Sequence, residues 1–315
     1  MCLLASIIPG FLRVEDTDMH KLIPNLSKNF GIAGSLIITG SIAFWLFGMI
    51  ILPQLIMIDF SFRPFLPLNK IGGPDDIYTL KNYIVLFTNE FHRAIFIKTI
   101  WSSVLVTITA LIVCYPIAFY LAKVARGTRF SLILIGLVIP YWINELLRIF
   151  AWQLILADTG VLNQLLLAMN VASDPINFRA GNGAVLLGMV YAYILFMVFP
   201  LYNAMESLDR NQIDAAHDLG ASRFQIHKRI VIPHCKPGIA VGCIMTFMLA
   251  AGSIAAPQLL GSPSSFWFSQ IIYTNFECAN WNQGAAYAMV LTVLCLAFIF
   301  AMLKIFKVNL KEIAK

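Results

Sequence analysis

The sequence predicts an all-α membrane protein with six transmembrane helices, and three observations lead to this prediction. Of its 315 residues, 59% are hydrophobic and only 12% are charged, whereas soluble domains carry about 25% charged residues. Several charge-free runs are long enough to form helices that cross a bilayer, which takes roughly 20 apolar residues. Lys and Arg are concentrated in alternate loops between these runs, which is typical of proteins that cross a membrane several times.

Five charge-free runs predict five of the spans, and they cover residues 31–58, 99–122, 180–205, 237–276 and 278–303. The run 237–276 is too long for one helix, so we place the fifth span at 239–260 and interpret 261–270 as a polar exit loop. The last run opens with the polar segment ANWNQG, so we expect the sixth span to begin near Gly284.

The third span is interrupted. Its charge-free run, 130–144, is only fifteen residues long, and Glu145 and Arg148 follow before the apolar segment IFAWQLILA. Pro140 has no backbone N–H and should break or kink a helix. We therefore interpret the region as one span continued by a bent helix, which brings the total to six.

The positions of Lys and Arg predict which loops are cytoplasmic. Residues 123–129, 206–236 and 304–315 carry three, five and four basic residues, so we expect both termini and the second and fourth loops to be cytoplasmic. The first loop, 59–98, also carries five, but long loops follow the rule poorly. Its segment LKNYIVLF is expected to form a short helix on the outer surface.

The predicted organisation is a cytoplasmic N-terminal arm (1–30), a six-span domain (31–303) and a cytoplasmic tail (304–315). The arm does not resemble a secretory signal, because its apolar start precedes any basic residue. The net charge of +6 is attributed to the basic cytoplasmic loops and not to nucleic-acid binding.

The cysteine and histidine positions suggest neither a disulfide nor a metal site. The six cysteines show no paired spacing. His227, His234 and Cys235 are near one another in the sequence, but no second cluster completes a ligand set of the kind that metals require. We therefore expect no bound metal.

The polar segment DAAHDLGASRFQIHKRIVIP, between the fourth and fifth spans, predicts a helix, a sharp turn and a second helix. Asp209 can cap the first helix, with Gln212 completing a capping box, and Gly220 suits the left-handed position just past its end. Ser222 and Gln225 form a second capping box at the start of the next helix.

Pro233 is expected to end the second helix, and small Ala215 and Ala216 leave the first one slim enough to enter a groove on a partner. The alternative is a solvated loop between two spans. The caps, the glycine and the proline agree on one compact shape, and such agreement favours a docking hairpin.

This segment resembles the cytoplasmic loop of the permease subunits of ATP-binding-cassette (ABC) importers. In that family the loop reads E-A-A, three residues, G, nine residues, I, one residue, L-P. The same spacings occur here, with Asp for Glu and Ile for Leu, in Asp214, Ala215, Ala216, Gly220, Ile230, Ile232 and Pro233. The resemblance implies a type I permease fold, in which the first helix of the hairpin is a coupling helix that contacts an ATPase.

A second resemblance, to permeases of the spermidine/putrescine type, extends over most of the chain. It rests on IPYWINELLRIFAWQLILADTGVLNQLL, on Tyr191 and Pro200, on PQLLGSP and on ANWNQGAA around Trp281. Many relatives have a charged pair before that tryptophan, where Ala279 and Asn280 stand here.

These resemblances imply four kinds of partner: a second homologous permease subunit, two copies of an ABC ATPase, an extracytoplasmic binding protein, and the lipid of a bacterial inner membrane. The chain lacks the G-x-x-x-x-G-K-[ST] loop that binds nucleotide phosphates. We therefore expect it to have no catalytic residue and no cofactor, with ATP and Mg²⁺ used by the ATPase. The coupling residues implied are Asp214, Ala215, Ala216, Gly220, Ile230 and Pro233.

Ionisable residues inside a membrane are candidates for the substrate pathway. A polyamine carries ammonium groups on methylene stems, so carboxylates and aromatic faces suit it. The candidates are Tyr141, Trp142, Glu145, Trp152, Asp158, Tyr191 and Trp281. Alternatively, Glu145 could neutralise Arg148, three residues away on the same helix, the aromatic residues could form an interfacial belt, and Asp158 could contact the binding protein.

Three other functions remain open from the sequence. The chain could be a permease for another small organic solute. An ion-coupled secondary transporter usually has more spans, often as inverted repeats, and no repeat is visible here. A membrane-embedded enzyme would need a constellation of catalytic groups within the spans, where only Glu145 and Arg148 are charged.

Overall fold

The computed structural model describes residues 31, 33–34, 36–66, 70, 73–74, 76–262 and 265–308. The predicted N-terminal arm and most of the predicted tail lie outside these residues. Regular secondary structure in the described part is entirely helical. The chain divides into two compact units, Met1–Asp59 and Phe60–Lys315, and all packing described below lies within the second unit.

The helices of the described residues, in chain order, are α1 (Leu36–Phe62), α2 (Lys81–Thr88), α3 (Glu90–Val124), α4 (Thr128–Trp142), α5 (Glu145–Ile155), α6 (Val161–Ala168), α7 (Gly183–Glu206), α8 (Arg210–Asp218), α9 (Arg223–His234), α10 (Lys236–Gly252), α11 (Ala255–Leu260), α12 (Phe268–Glu277) and α13 (Trp281–Phe306).

Four of these helices, α1, α3, α7 and α13, are each long and apolar enough to cross a membrane. Two bent pairs meet the same criterion when each pair is counted as one span: α4 with α5, at 98°, and α9 with α10, at 73°. The described residues therefore contain four to six spans, which agrees with the six-span prediction.

The third span breaks where the sequence predicts. A 3₁₀ turn, Ile139–Trp142, contains Pro140, and Ile143 is extended. Asn144 then caps α5, since its Oδ1 accepts a hydrogen bond from the backbone N–H of Leu146 at 2.8 Å. The axes of α4 and α5 differ in direction by 98°, because α4 stops at this turn and α5 begins with its own cap.

The fifth span ends earlier than predicted. Its helix, α10, stops at Gly252, and Ser253 is extended, so the predicted end near residue 260 is wrong. The carbonyl of Ser253 accepts a hydrogen bond from the hydroxyl of Ser269 at 2.5 Å, which satisfies that carbonyl outside a helix. The segment that follows forms the separate short helix α11.

One helix is not predicted by the sequence, and another begins earlier than the sequence indicates. Within the predicted exit loop, α12 starts at Phe268, whose N–H donates to Thr99 Oγ1 at 2.9 Å. The last helix starts at Trp281 instead of Gly284, because Asn280 provides a cap for the N–H of Gln283. It continues to Phe306, beyond the predicted span end at residue 303.

The predicted short helix in the first loop is confirmed as α2. It is not free on a surface, because Asn82 and Leu86 are buried, and Asn82 donates to the carbonyls of Ser61 at 3.0 Å and Arg63 at 2.8 Å. The loop itself ends at Asn89, whose side chain caps α3. Residues 90–98, interpreted as loop from the sequence, are therefore helical.

The helices α7 and α10 cross at small residues. A Cβ placed on Gly238 would lie 2.5 Å from the carbonyl oxygen of Pro200, and one on Gly242 would lie 2.8 Å from the sulfur of Met197. Small residues four apart allow the close helix approach that is common in membrane proteins. A buried apolar cluster, which we term the hairpin cluster, joins this crossing to α3 and α9; it contains Cys114, Ala118, Leu121, Met197, Leu201, Ile226, Val231, Cys235 and Ile239, among others.

Candidate coupling hairpin and substrate pathway

The first half of the predicted hairpin forms with one difference. Asp209 caps α8 through a bond from the N–H of Asn211 at 3.0 Å, and Gln212 does not complete a capping box. The helix ends at Asp218, and Gly220, two residues later, has φ +77°. The N–H of Gly220 bonds to the carbonyl of His217 and that of Ala221 to the carbonyl of Ala216, the pair of bonds that defines a Schellman motif.

The second half begins as predicted and ends later. Ser222 and Gln225 form both bonds of a capping box. Pro233, however, lies inside α9, which continues to His234 before the bend at Cys235. The π-helical turn His227–Val231 comes directly before it, and a wider turn relieves the clash between a proline ring and the carbonyl four residues earlier.

The six predicted coupling residues all lie in this hairpin but differ in exposure. Asp214, Ala215, Gly220 and Pro233 are exposed, whereas Ala216 and Ile230 pack against the hairpin cluster. Ala215 is therefore open to a partner, whereas Ala216 is partly buried against the protein's own core.

Sequence reasoning missed two exposed apolar residues beside the turn. Leu219 is 88% exposed and Phe224 is 75% exposed. Large apolar side chains at the tip of an otherwise polar hairpin are typical of a binding surface. The sequence does contain a signal for them, because Leu219 directly precedes the turn residue Gly220 and Phe224 follows the capping residue Ser222 by two positions.

No group of three or more His, Cys, Asp or Glu side chains suited to a metal occurs among the described residues. The two histidines considered for such a site are engaged elsewhere. His227 Nδ1 lies 2.8 Å from the hydroxyl of Tyr115, and His234 Nε2 lies 2.9 Å from the hydroxyl of Ser207.

At the break in the third span, Glu145 occupies the first turn of α5 and is partly buried. The hydroxyl of Tyr193, on α7, donates to Glu145 Oε1 at 3.1 Å. Tyr193 is not among the residues that the sequence singles out, although it is buried in the core and contacts Glu145. The two residues are 48 positions apart, so no local pattern could have paired them.

Arg148 is buried, with 7% of its surface exposed. Its guanidinium lies 4.5 Å from the centre of the Tyr141 ring, a cation–π arrangement. The ion pair considered between Glu145 and Arg148 does not form, although both residues are in the described part of the chain. The Glu145 carboxylate therefore keeps acceptor positions that Tyr193 does not use.

Two aromatic pairs lie near this carboxylate, and one ring of each pair belongs to α7. Tyr141 meets Phe196 edge to face with ring centres 5.7 Å apart, and Trp152 meets Tyr191 in the same way at 5.6 Å. Phe196 also lines an apolar groove of about 750 Å³ between α7 and α10. Trp142, by contrast, is 87% exposed.

The remaining two candidates lie in other surroundings. Asp158 is exposed and lines a cleft of about 500 Å³ together with Thr159, Asn177 and Arg179. Trp281 packs against the ring of Phe276 at 5.6 Å. The structure therefore groups Tyr141 and Glu145 with Arg148 and Tyr193, pairs Trp152 with Tyr191, and leaves Asp158 and Trp281 outside these contacts.

Comparison with known proteins identifies the family. Residues 35–306 match the family described as binding-protein-dependent transport system inner membrane component. The chain belongs to this family. It is a permease of the ABC-importer type, a multi-pass protein of an inner-membrane family, as the hairpin pattern predicts.

Individual relatives agree with this assignment. The spermidine/putrescine transport system permease protein PotB of Haemophilus influenzae is 34% identical, covering 84% of this chain and 91% of the relative. PotB of Escherichia coli K12 is also 34% identical, covering 79% of this chain and 89% of that relative. The inner membrane ABC transporter permease protein YdcU of Escherichia coli is 31% identical over 70% of this chain and 75% of its own length.

Solved structures confirm the fold. A chain from a bacterial ABC transporter involved in the import of the acidic polysaccharide alginate has a TM-score of 0.70 and 16% identity, covering 91% of this chain and 98% of that one. A chain of the MetNI methionine ABC transporter has a TM-score of 0.51 and 15% identity, covering 70% and 98%. The predicted type I permease fold is therefore correct.

Proposed function

We propose that this chain forms half of the translocation pathway of an ATP-driven importer for polyamines such as putrescine and spermidine. The observation that carries the proposal is Glu145, a partly buried carboxylate at the break of a span that is bound by Tyr193 and not paired with Arg148. Relatives about one third identical bear names that refer to spermidine and putrescine transport.

The chemistry of the site suits an ammonium group. A carboxylate provides the opposite charge, and the face of Trp152 can attract a methylene-linked cation by about 0.5–2 kcal/mol, whereas Arg148 already lies over the ring of Tyr141. The substrate would leave its water shell as it enters, so fixed groups of this kind must replace the lost hydration.

Energy would come from other subunits. The chain lacks a phosphate-binding loop, so ATP and Mg²⁺ would bind to two copies of an ABC ATPase, and this chain would contribute no catalytic residue. The exposed tip of the hairpin would dock on an ATPase through Asp214, Ala215, Leu219 and Phe224. A second homologous permease subunit would complete the pathway, and an extracytoplasmic binding protein would deliver the substrate.

This proposal places the hairpin and both termini on the cytoplasmic side of a bacterial inner membrane. The excess of Lys and Arg in 206–236 and 304–315 supports that orientation.

Uptake by liposomes containing the complete transporter tests the cargo. We expect labelled putrescine or spermidine to accumulate only when ATP is inside with the ATPase and loaded binding protein is outside. ATP-dependent uptake of another solute but of neither polyamine would contradict the cargo while retaining the permease. Uptake driven by an ion gradient without the ATPase would contradict the importer and support a secondary transporter.

Another small organic solute is the second candidate cargo. Ala279 and Asn280 occupy positions before Trp281 that carry a charged pair in many permeases of the spermidine/putrescine type. Competition of amino acids and small sugars with labelled polyamine in the same liposomes distinguishes the two cargoes.

A further inference from the structure

The hairpin is tied to α3 by contacts that the family pattern does not include. Lys123, in the last turn of α3, donates from Nζ to the carbonyl of Glu206 at 3.3 Å and to that of Leu208. These carbonyls lie at the end of α7 and in the linker that leads to α8. In return, the Nη2 of Arg210 donates to the carbonyl of Lys123 at 2.5 Å.

A second tie joins α9 to α3. His227 Nδ1 lies 2.8 Å from the hydroxyl of Tyr115, and the His227 ring centre lies 4.5 Å from that of Phe119. Ile226 and Val231, on either side of His227, are buried in the hairpin cluster. Polar and apolar contacts thus hold both helices of the hairpin against one helix of the membrane domain.

These ties join distant parts of the sequence. The hairpin is covalently continuous with α7 and α10, but 112 positions separate Tyr115 from His227, and 87 separate Lys123 from Arg210. A displacement of the hairpin can therefore reach α3 only through noncovalent contacts. Pro116 removes one backbone hydrogen bond within α3, and the ties lie on both sides of it, at Tyr115 and at Lys123.

The opposite end of α3 is held as well. Lys98 Nζ donates to the hydroxyl of Ser265 at 2.7 Å, and Ser265 donates to Asn182 Oδ1, beside the start of α7, at 2.9 Å. At 1.5 Å per helical residue, Lys98 and Lys123 are about 38 Å apart along α3. This helix therefore connects the hairpin to the loop before α12 at the far end of the domain.

We propose that Lys123, Arg210 and His227 are positioning residues that make α3 move with the hairpin, so that ATPase motion reaches the far end of the domain through α3. The inference rests on the proposed docking of the hairpin on an ATPase. Without these ties, the hairpin would still bind the ATPase, but its displacement would reach α3 only through the apolar packing of the hairpin cluster, which can slide more easily than directional hydrogen bonds.

The test measures coupling in the complete reconstituted transporter. We expect His227→Ala and Arg210→Ala to leave ATPase co-purification unchanged and to lower substrate uptake per ATP hydrolysed by about five- to tenfold, a typical size for coupling between sites. His227→Gln keeps a hydrogen-bonding group for Tyr115 and should restore most of the ratio. Lys228→Ala, an exposed neighbour in the same π-helical turn, is the matched control and should match wild type.

Each outcome has a distinct meaning. Unchanged uptake per ATP in both alanine variants would overturn the role of α3. Loss of ATPase co-purification in Gly220→Pro supports hairpin docking, and its persistence would instead overturn the proposed function of the hairpin, whatever the coupling ratios show.

A second measurement does not depend on loss-of-function variants. Spin labels at Val124 on α3 and Lys228 on α9, both exposed, should keep the same separation in the nucleotide-free transporter and in the vanadate-trapped one. A separation that changes between the two states would contradict movement of α3 with the hairpin.

Discussion

Two single residues are central to the proposed function: Glu145 for binding of the substrate and Gly220 for the shape of the docking hairpin. Glu145 is a carboxylate that one neutral donor, Tyr193, holds in place, so its charge is available to a cation. Gly220 has φ +77°, and a Cβ added there would meet no atom within 4 Å, so the role of this glycine is conformational and not steric.

Replacing Glu145 by Gln removes the charge but keeps an acceptor for Tyr193. Hydrogen bonds to charged groups contribute about 1.5–3 kcal/mol, so we expect the half-saturating polyamine concentration to rise more than tenfold, with normal ATPase co-purification. Uptake kinetics in liposomes measure this. Asp174→Asn, an exposed carboxylate outside the pathway candidates, is the control, and equal kinetics in both variants would exclude Glu145 as a substrate contact.

Replacing Gly220 by Ala tests the hairpin turn. A left-handed conformation costs an L-residue about 1–2 kcal/mol, and Asn tolerates it better than Ala. We expect ATPase co-purification to decrease in the order Gly, Asn, Ala. An alanine variant that retains the ATPase as well as wild type would show that the left-handed turn is not needed for docking.

Among the helices, α7 and α10 can cross closely because α10 has glycine, which lacks a side chain, at the point of contact. A Cβ on Gly238 would lie 2.5 Å from both the Pro200 carbonyl oxygen and the Ala204 Cβ. Backbone atoms cannot rotate away as a flexible side chain can, so the helices would have to separate.

Gly238→Ala should therefore destabilise the protein by about 1–3 kcal/mol, the usual range for overpacked cores. Thermal unfolding of the purified protein in detergent measures the change. Gly252→Ala, at the end of the same helix with nothing within 4 Å of its Cβ position, should have little effect, and equal midpoints for the two variants would contradict close packing at this crossing.

The elements that sequence predicts well are those fixed by local chemistry. Pro140 lies in the 3₁₀ turn that terminates α4, and the caps at Asp209 and Ser222 begin α8 and α9, because each acts within a few residues. The start of α12 at Phe268 could not be foreseen, since its N–H is satisfied by Thr99, 169 positions away.

In the candidate site, too, the sequence predicts local features but not contacts between distant residues. Composition and a broken span direct attention to Glu145, but the partners that define its surroundings come from α7, which only the fold brings near. The passage of α9 through Pro233 likewise depends on a π-helical turn, His227–Val231, for which the sequence gives no clear local signal.

At the scale of the whole molecule, the proposed orientation predicts which surfaces face each side of the membrane. Cys278 is exposed, whereas Cys114, Cys235 and Cys243 are buried. In spheroplasts, a membrane-impermeant maleimide should label Cys278 from outside, and a Lys228→Cys substitution in the hairpin should add labelling only after permeabilisation. Cys278→Ser is the control for labelling at that position, and outside labelling of residue 228 would reverse the orientation.

We propose that this permease imports its substrate because its hairpin is coupled to an ATPase. The most direct test is polyamine uptake by cells that express the complete transporter with either the wild-type chain or Gly220→Pro, together with ATPase co-purification. We expect uptake with the wild type, and loss of both uptake and ATPase co-purification in the variant. Uptake unchanged by Gly220→Pro would contradict this proposal.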